Sequence, residues 1–232
     1  MVPSEEMHHR NVASGGARAE VFGVSDGLVT NVALILGFAG AHPSASVVRL
    51  AGVAGLVAGA FSMAAGEYLS MTAQRELFER ELAIERQALK DSPEVETEEL
   101  IETFQRRGIA PELARRLARD VMSDPELALE THAREEFGVV PGSLGSPWAA
   151  ASSSFVAFVV GAFIPLAPWL VGSGTAAVAW SIGLSAIAAL VVGATLGAAT
   201  GRGRTRSALR QLAIAAVAAG VTYGVGRAVG AG

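Results

Sequence analysis

The chain has 232 residues, 51% of them hydrophobic, and its mean hydropathy is +0.41. It contains no cysteine, which excludes a disulfide framework and a thiolate metal site. No charged residue or histidine lies between Phe137 and Gly201, whereas 18 of the 22 acidic and 10 of the 18 basic residues lie between Glu67 and Glu136. This partition is typical of a membrane protein with one acidic, water-facing insert. The net charge of −8 in that stretch argues against nucleic-acid binding.

The N-terminal segment, residues 1–20, does not have the pattern of a secretory signal peptide. It carries two glutamates, two histidines and Arg10 near its start, and it lacks a basic region followed by an apolar one. We therefore expect the first apolar span to remain in the mature protein.

The first predicted membrane span, residues 21–40, contains a carboxylate, Asp26. A span needs about 20 mostly apolar residues to cross about 30 Å of hydrocarbon. An ionised group about 8 Å inside it costs about 3 kcal/mol or more unless it faces a cavity or a partner. We hypothesise that Asp26 couples the movement of a cation to the counter-movement of a proton.

The second predicted span, residues 48–69, holds two further candidate cation ligands. Met63 lies about 14 Å above the cytosolic end of the span, and Glu67 lies one turn closer to that end on the same face. A lone methionine is more often a packing side chain than a ligand. Together with Asp26, however, the two residues predict a ladder of cation ligands.

The insert between the second and third spans, residues 73–147, is predicted to be helical throughout. The second span continues into it without a helix breaker, which predicts a stalk. Ser92 and Asp124, each followed by a proline, are expected to cap two further helices, and Gly108 and Gly138 are expected to end them.

Carboxylates and one histidine recur at helical spacing in the insert. They are Glu81, Glu85, Glu96, Glu99, His132, Glu135 and Glu136. If the helices fold together, these oxygens and one imidazole suit Mn²⁺ or Fe²⁺, and also Zn²⁺. The alternative is a solvated acidic face with arginine partners four residues away, such as Glu130 with Arg134.

Three further spans are predicted at residues 148–171, 175–200 and 209–229. The third span of the chain contains two prolines, and the fifth has the alternative of a buried or interfacial helix. Glycines spaced four residues apart favour close helix packing, more often within one chain than in a dedicated dimer motif.

The distribution of arginines near the span ends predicts that the N-terminus and the insert face the cytosol. Five spans place the N-terminal segment, the insert and the loop between spans four and five on one side, and all three regions contain arginines. The opposite loops, residues 41–47 and 172–174, contain no Lys or Arg. Arg49 and Arg227 are the exceptions.

Four motifs together are more specific than any one of them. They are VFGVSDGLVTN at 21–31, AFSMAAGEYL at 60–69, EEFG at 135–138 and IPLAP at 164–168. On these motifs the chain, from His8 to about Gly226, resembles the vacuolar iron transporter family, which includes plant, yeast and bacterial members.

The resemblance implies a five-helix protomer that works as a homodimer and exchanges cytosolic Fe²⁺, often also Mn²⁺, for protons. It implies a pathway at the dimer interface, lined by the first span of each protomer, in which Asp26 and Met63 match the translocation residues. The insert matches the family's metal-binding domain, with Glu85, Glu96, Glu99 and Glu136 as the matching glutamates.

Two departures from the family pattern concern the insert. Ala88 stands where plant members supply another Glu, and His132 stands where they supply a Met. These departures predict fewer bound ions or a different metal preference, which Glu135 together with His132 could offset.

The sequence thus predicts an all-α membrane protein with five transmembrane helices. Its expected domains are a cytosolic N-terminal segment (1–20), spans one and two (21–72), a cytosolic helical metal-binding domain (73–147) and spans three to five (148–232). The predicted function is proton-coupled antiport of Fe²⁺ and/or Mn²⁺ out of the cytosol, for metal homeostasis and detoxification. The membrane is the plasma membrane in a bacterium and the vacuolar membrane in a eukaryote.

Two alternatives to this prediction stay open. One is an efflux carrier that prefers manganese, and the other is a membrane-anchored metal sensor or interaction module. Asp26 argues against the anchor, which has no use for an acid in the bilayer. The sequence shows no convincing nucleophile–base set and no Gly-rich phosphate loop, so we expect no enzyme activity, nucleotide or permanently bound cofactor. The expected partners are divalent ions, protons, lipid and a second copy of the chain.

Overall fold

The computed structural model describes residues 15–138 and 144–230, with side chains from residue 21 onward. Most of the predicted N-terminal segment therefore lies outside the described residues. The described residues form eight helices: α1 (Gly15–Gly40), α2 (Ala45–Asp91), α3 (Pro93–Arg106), α4 (Pro111–Met122), α5 (Pro125–Glu136), α6 (Pro147–Val171), α7 (Gly174–Ala199) and α8 (Arg204–Gly230). Five of them, α1, α2, α6, α7 and α8, are long and apolar enough to cross a membrane. The prediction of an all-α membrane protein with five spans is confirmed.

The chain divides into two compact units. One unit comprises Met1–Leu69 and Pro147–Gly232, and the other comprises Ser70–Ser146. Helix α2 contributes to both, because it runs unbroken from Ala45 to Asp91. The absence of a breaker between the second span and the insert was the sequence feature that predicted this continuity.

Helix α1 is the central element of the membrane unit and packs against α6, α7 and α8. Glycines permit these close contacts. A Cβ atom at Gly161 of α6 would overlap the carbonyl oxygen of Val24 in α1, and one at Gly193 of α7 would lie 2.6 Å from the carbonyl oxygen of Ser207 in α8. At these positions the small residues therefore serve packing within one chain.

The insert has a small apolar core of its own. Leu100 and Ile101 of α3 pack against Ala114 and Ala118 of α4, and all four are buried. This contact holds α3 and α4 side by side. The face of α3 that contacts α4 is therefore not available to the other helices of the insert.

The helix ends of the insert follow the sequence signals with one exception. Asp124 caps α5 by accepting hydrogen bonds from the backbone N–H groups of Glu126 and Leu127, at 3.0 and 3.3 Å. Gly108 and Gly138 follow α3 and α5 with φ of +86° and +67°, in the left-handed region that glycine adopts readily.

Ser92 is the exception. It occupies the N-cap position of α3 with Pro93 next to it, as predicted, but its side chain makes no capping hydrogen bond. Its ψ of 53° lies outside the extended region that a capping residue normally occupies. The hydroxyl is therefore not directed at the free N–H groups of the first turn.

Candidate metal centre

Three carboxylates and one imidazole converge within the Ser70–Ser146 unit. One ligand atom from each of Glu85, Glu96, His132 and Glu136 lies within 4.8 Å of the others. His132 Nδ1 is 3.2 Å from Glu85 Oε1, 3.5 Å from Glu136 Oε1 and 3.8 Å from Glu96 Oε2. Ligand atoms at these separations can all contact one cation.

Three helices supply the cluster. Glu85 lies near the end of α2, and Glu96 lies in the first turns of α3, so the single residue between the two helices brings them together. His132 and Glu136 are four residues apart on α5 and therefore share a face of that helix. The same helix buries Leu129 and Ala133, which anchors it against its neighbours.

Three of the four cluster residues are buried, while Glu136 is exposed, and the cluster carries uncompensated negative charge. Glu85 and Glu96 are 6% and 8% exposed, and His132 is 2% exposed. Among the described residues, none of the three glutamates forms an ion pair with Lys or Arg; their ionic contacts are to His132 alone. Burial of carboxylates without a basic partner is unfavourable, so a divalent cation would relieve the electrostatic strain.

The pKa values of the two buried glutamates, Glu85 and Glu96, are raised by this environment. Burial, and next the charge of Glu136, raise the pKa of Glu85 from 4.5 to about 7, although His132 opposes the shift. Burial, and next the charge of Glu99, raise the pKa of Glu96. Both groups release a proton more readily when a cation arrives.

Two buried polar atoms of the cluster make no hydrogen bond. They are Oε1 of Glu85 and Nε2 of His132. Oε1 of Glu85 is close to Nδ1 of His132, yet the two atoms do not hydrogen-bond. Oε1 of Glu85, on the side of the cluster that Nδ1 of His132 faces, is therefore available to a cation.

The remaining predicted ligands of the insert lie in different environments. Glu99 and Glu135 line a cavity of about 250 Å³, which His132 and Glu136 also line. Glu135 is drawn into an ion pair with Arg107 at 2.5 Å. Glu81 is half-buried on α2 and does not belong to the cluster. As ligands, these three glutamates stay predictions.

The predicted pathway residues lie in the membrane unit. Asp26 is half-buried on α1, and its carboxylate accepts a hydrogen bond from Thr30 at 3.3 Å. Met63 is half-buried on α2 and packs against an apolar cluster that includes Phe158. Glu67 is also half-buried, one turn away on the same helix. Their part in transport stays a prediction.

Asp26 belongs to an exposed stripe of α1. Phe22 is 66% exposed, and Thr30 is exposed as well. Phe22, Asp26 and Thr30 follow one another at four-residue spacing and so lie along one side of the helix. The stripe is left open by the described part of the chain.

Sequence reasoning missed two polar contacts between the spans. Asn31 is fully buried, and its Nδ2 donates a hydrogen bond to the carbonyl of Ala162 at 2.6 Å, while its Oδ1 has no partner. Gln211 of α8 donates to Ser25 of α1 at 2.5 Å. Asn31 and Gln211 are side-chain amides within apolar spans, and this was the signal available in the sequence.

Comparison with known proteins defines the family. The model of the VIT family matches residues 17–227. A vacuolar iron transporter of Acanthamoeba castellanii is 34% identical over 230 residues, covering 95% of this chain and 82% of that protein. Vacuolar iron transporter 1 of Tulipa gesneriana is 30% identical, covering 97% and 91%. Vacuolar iron transporter 1 of Arabidopsis thaliana is 32% identical, covering 90% and 84%. These matches confirm the resemblance seen in the motifs: the chain belongs to the VIT family.

Proposed function

We propose that this protein is a proton-coupled antiporter that moves Fe²⁺ and/or Mn²⁺ out of the cytosol for metal homeostasis and detoxification. The names of its relatives support iron as a cargo. The observation that carries the proposal is the convergence of Glu85, Glu96, His132 and Glu136, whose ligand atoms, one from each residue, lie within 4.8 Å of one another.

The chemistry of this cluster suits the proposed ions. Carboxylate oxygens are hard ligands that suit Mn²⁺, and one imidazole extends the preference to borderline metals such as Fe²⁺. We propose that residues 73–147 form a cytosolic metal-binding domain, which gathers ions before they cross. Glu99 and Glu135 in the adjoining cavity could add oxygens once Arg107 is displaced from Glu135.

The exposed stripe of α1 supports a second copy of the chain as partner. A carboxylate facing lipid costs about 3 kcal/mol or more, and Asp26 lies between Phe22 and Thr30 on a stripe that the described residues do not cover. A second α1 against this stripe would shield both carboxylates from lipid. The proposed homodimer thereby places two Asp26 side chains on one pathway, with Met63 and Glu67 as its continuation.

Proton coupling is assigned to the same carboxylate. A cation that reaches Asp26 favours the ionised side chain and so releases its proton, and return of a proton releases the cation. In each transport cycle, a proton would thus cross the membrane in the direction opposite to the metal. The arginine distribution supports a cytosolic N-terminus and insert, with export across the plasma membrane of a bacterium or into the vacuole of a eukaryote.

Two alternatives concern the cargo and the class of protein. A manganese-preferring carrier has the same architecture and differs in the ion selected. A membrane-anchored metal sensor is favoured by one observation: all four cluster residues belong to the Ser70–Ser146 unit, so metal binding there does not require a membrane span.

The test is metal flux into sealed proteoliposomes that contain the full-length protein. Fe²⁺ and Mn²⁺ are compared with and without a pH gradient, for the natural protein and for Asp26→Ala. We expect flux that depends on the gradient and falls at least tenfold in the variant, because the variant has no carboxylate to exchange a proton for the metal.

Thr30→Val is the matched control, since it removes the hydrogen bond to Asp26 but keeps the carboxylate. It should retain gradient-dependent flux. Metal binding without flux of either ion would favour the sensor, and flux that persists unchanged in Asp26→Ala would refute the role of Asp26.

A further inference from the structure

Four arginines are concentrated at the turn that joins α7 and α8. Arg202, Arg204, Arg206 and Arg210 fall within nine residues, and all four are exposed. Among the described residues, none of them forms an ion pair. The sequence contains no Asp or Glu after Glu136. The turn therefore carries a concentrated positive charge that nearby carboxylates of its own segment do not neutralise.

The position of the turn fixes the depth of these charges. α7 ends at Ala199 and α8 begins at Arg204, and both helices are membrane spans. Leu209, next to Arg210, is an apolar side chain that is 57% exposed. Arginines at the junction of two spans are expected at the membrane surface, where the phosphate groups of lipids lie.

The helices hold the turn in a defined geometry. A Cβ atom at Gly197 of α7 would lie 2.9 Å from Ser207 Cβ and 3.0 Å from Arg204 Cα, so α8 approaches α7 as closely as glycine allows. Ser207 is buried in this contact, and Gly201 closes the turn with φ of +68°. The backbone that presents the arginines is already ordered, which lowers the entropic penalty of binding a ligand.

We propose that these four arginines form a binding site for the phosphate groups of anionic lipids. Guanidinium groups hold phosphate oxygens through paired, charge-assisted hydrogen bonds. A lipid fits the site better than a soluble anion does, because its acyl chains pack on the exposed apolar surface of α8 beside the arginines. Each basic residue near an anionic bilayer surface strengthens association about fivefold. The site stands apart from metal transport and does not depend on it.

The experiment measures lipid selectivity directly. The full-length protein is reconstituted in phosphatidylcholine vesicles, and the association of spin-labelled phosphatidylglycerol relative to spin-labelled phosphatidylcholine is measured by electron paramagnetic resonance. We expect the natural protein to prefer the anionic lipid. The variant Arg202→Gln/Arg204→Gln/Arg206→Gln/Arg210→Gln should lose at least fivefold of that preference.

The matched control is Arg49→Gln/Arg227→Gln, which removes two exposed arginines that lie near the opposite ends of the spans. It should keep the preference. A preference that survives in the quadruple variant, or that falls equally in the control, would overturn the proposal.

Two measurements on the natural protein keep the proposal testable if the quadruple variant does not fold. The preference should fall severalfold as salt rises from about 0.01 M to about 0.5 M, because exposed charges are screened; a preference independent of salt would contradict it. Excess inorganic phosphate should leave labelled phosphatidylglycerol bound, and displacement by phosphate would show a site for free anions instead.

Discussion

Glu85 is a buried carboxyl group surrounded by other carboxyl groups. It is buried beside Glu136 and Glu96, and its pKa of about 7 lies well above the value of 4.5 for a free side chain. His132 lies 3.2 Å away and partly offsets this shift. Glu85 therefore loses its proton near neutral pH. A bound metal or a rise in pH removes that proton.

The titration of Glu85 predicts how metal affinity and stability depend on pH. Metal must displace the proton from Glu85 at low pH, so Mn²⁺ affinity should rise up to about tenfold per pH unit between about pH 5 and pH 7 and then level off. Without metal, the stability of the protein changes with pH in the opposite direction to the metal affinity. The folded protein binds the proton more tightly than the unfolded chain does, so its stability should fall as pH rises from 4.5 to about 7.

Calorimetric titration of Mn²⁺ and thermal unfolding without metal, each over this pH range, measure the two effects. Glu85→Gln should weaken Mn²⁺ binding and flatten both pH dependences. The control is Glu112→Gln. Glu112 is an exposed residue of α4 that pairs with Arg115, so this variant should change neither Mn²⁺ binding nor the two pH dependences. Identical pH profiles for Glu85→Gln and the natural protein would exclude Glu85 as the titrating ligand.

At the scale of the elements, the contact between α1 and α6 depends on glycine. A Cβ at Gly161 would overlap the backbone of Val24 and lie 2.9 Å from the backbone nitrogen of Leu28. Because these are backbone atoms, the helices themselves would have to separate. We expect Gly161→Ala to lower the free energy of unfolding by about 1–3 kcal/mol, measured as a lower midpoint of thermal unfolding in detergent.

Gly183→Ala provides the matched control for this contact. Gly183 is exposed on α7, and a Cβ there meets nothing within 4 Å. Alanine is the better helix former, so this variant should be neutral or slightly stabilising. Equal destabilisation by both substitutions would show that the close approach of α1 and α6 does not contribute to stability.

The elements also show what the sequence could and could not predict. Breakers and caps such as Gly108 and Asp124 act within a few residues, so the helices of the insert could be located from the sequence. The selection of ligands could not. Glu81 and Glu85 share a face of α2 by spacing, yet only Glu85 of the two belongs to the cluster, because membership depends on how three helices pack. The Arg107–Glu135 pair likewise joins residues far apart in sequence.

For the whole molecule, the separation of charge anticipates the separation into two units. The acidic stretch that begins near Glu67 coincides with the unit Ser70–Ser146, and the uncharged stretch coincides with α6 and α7 of the membrane unit. Charge indicates which segments meet water, but it does not indicate which membrane faces meet a partner. The structure identifies the exposed stripe of α1, because α6, α7 and α8 cover the other sides of that helix.

The proposed dimer can be tested through this stripe, because the chain has no natural cysteine. If two α1 helices face each other through this stripe, Phe22→Cys should form an intermolecular disulfide on mild oxidation in membranes, since the α-carbons can then approach to about 6 Å. Ile187→Cys on α7 is the control: it is 61% exposed but lies off the stripe, and it should stay monomeric on a non-reducing gel. Cross-linking through Ile187→Cys alone would place the interface on α7 and leave Asp26 facing lipid, which costs about 3 kcal/mol or more for an ionised carboxylate. That result would exclude both the dimer and the pathway proposed here.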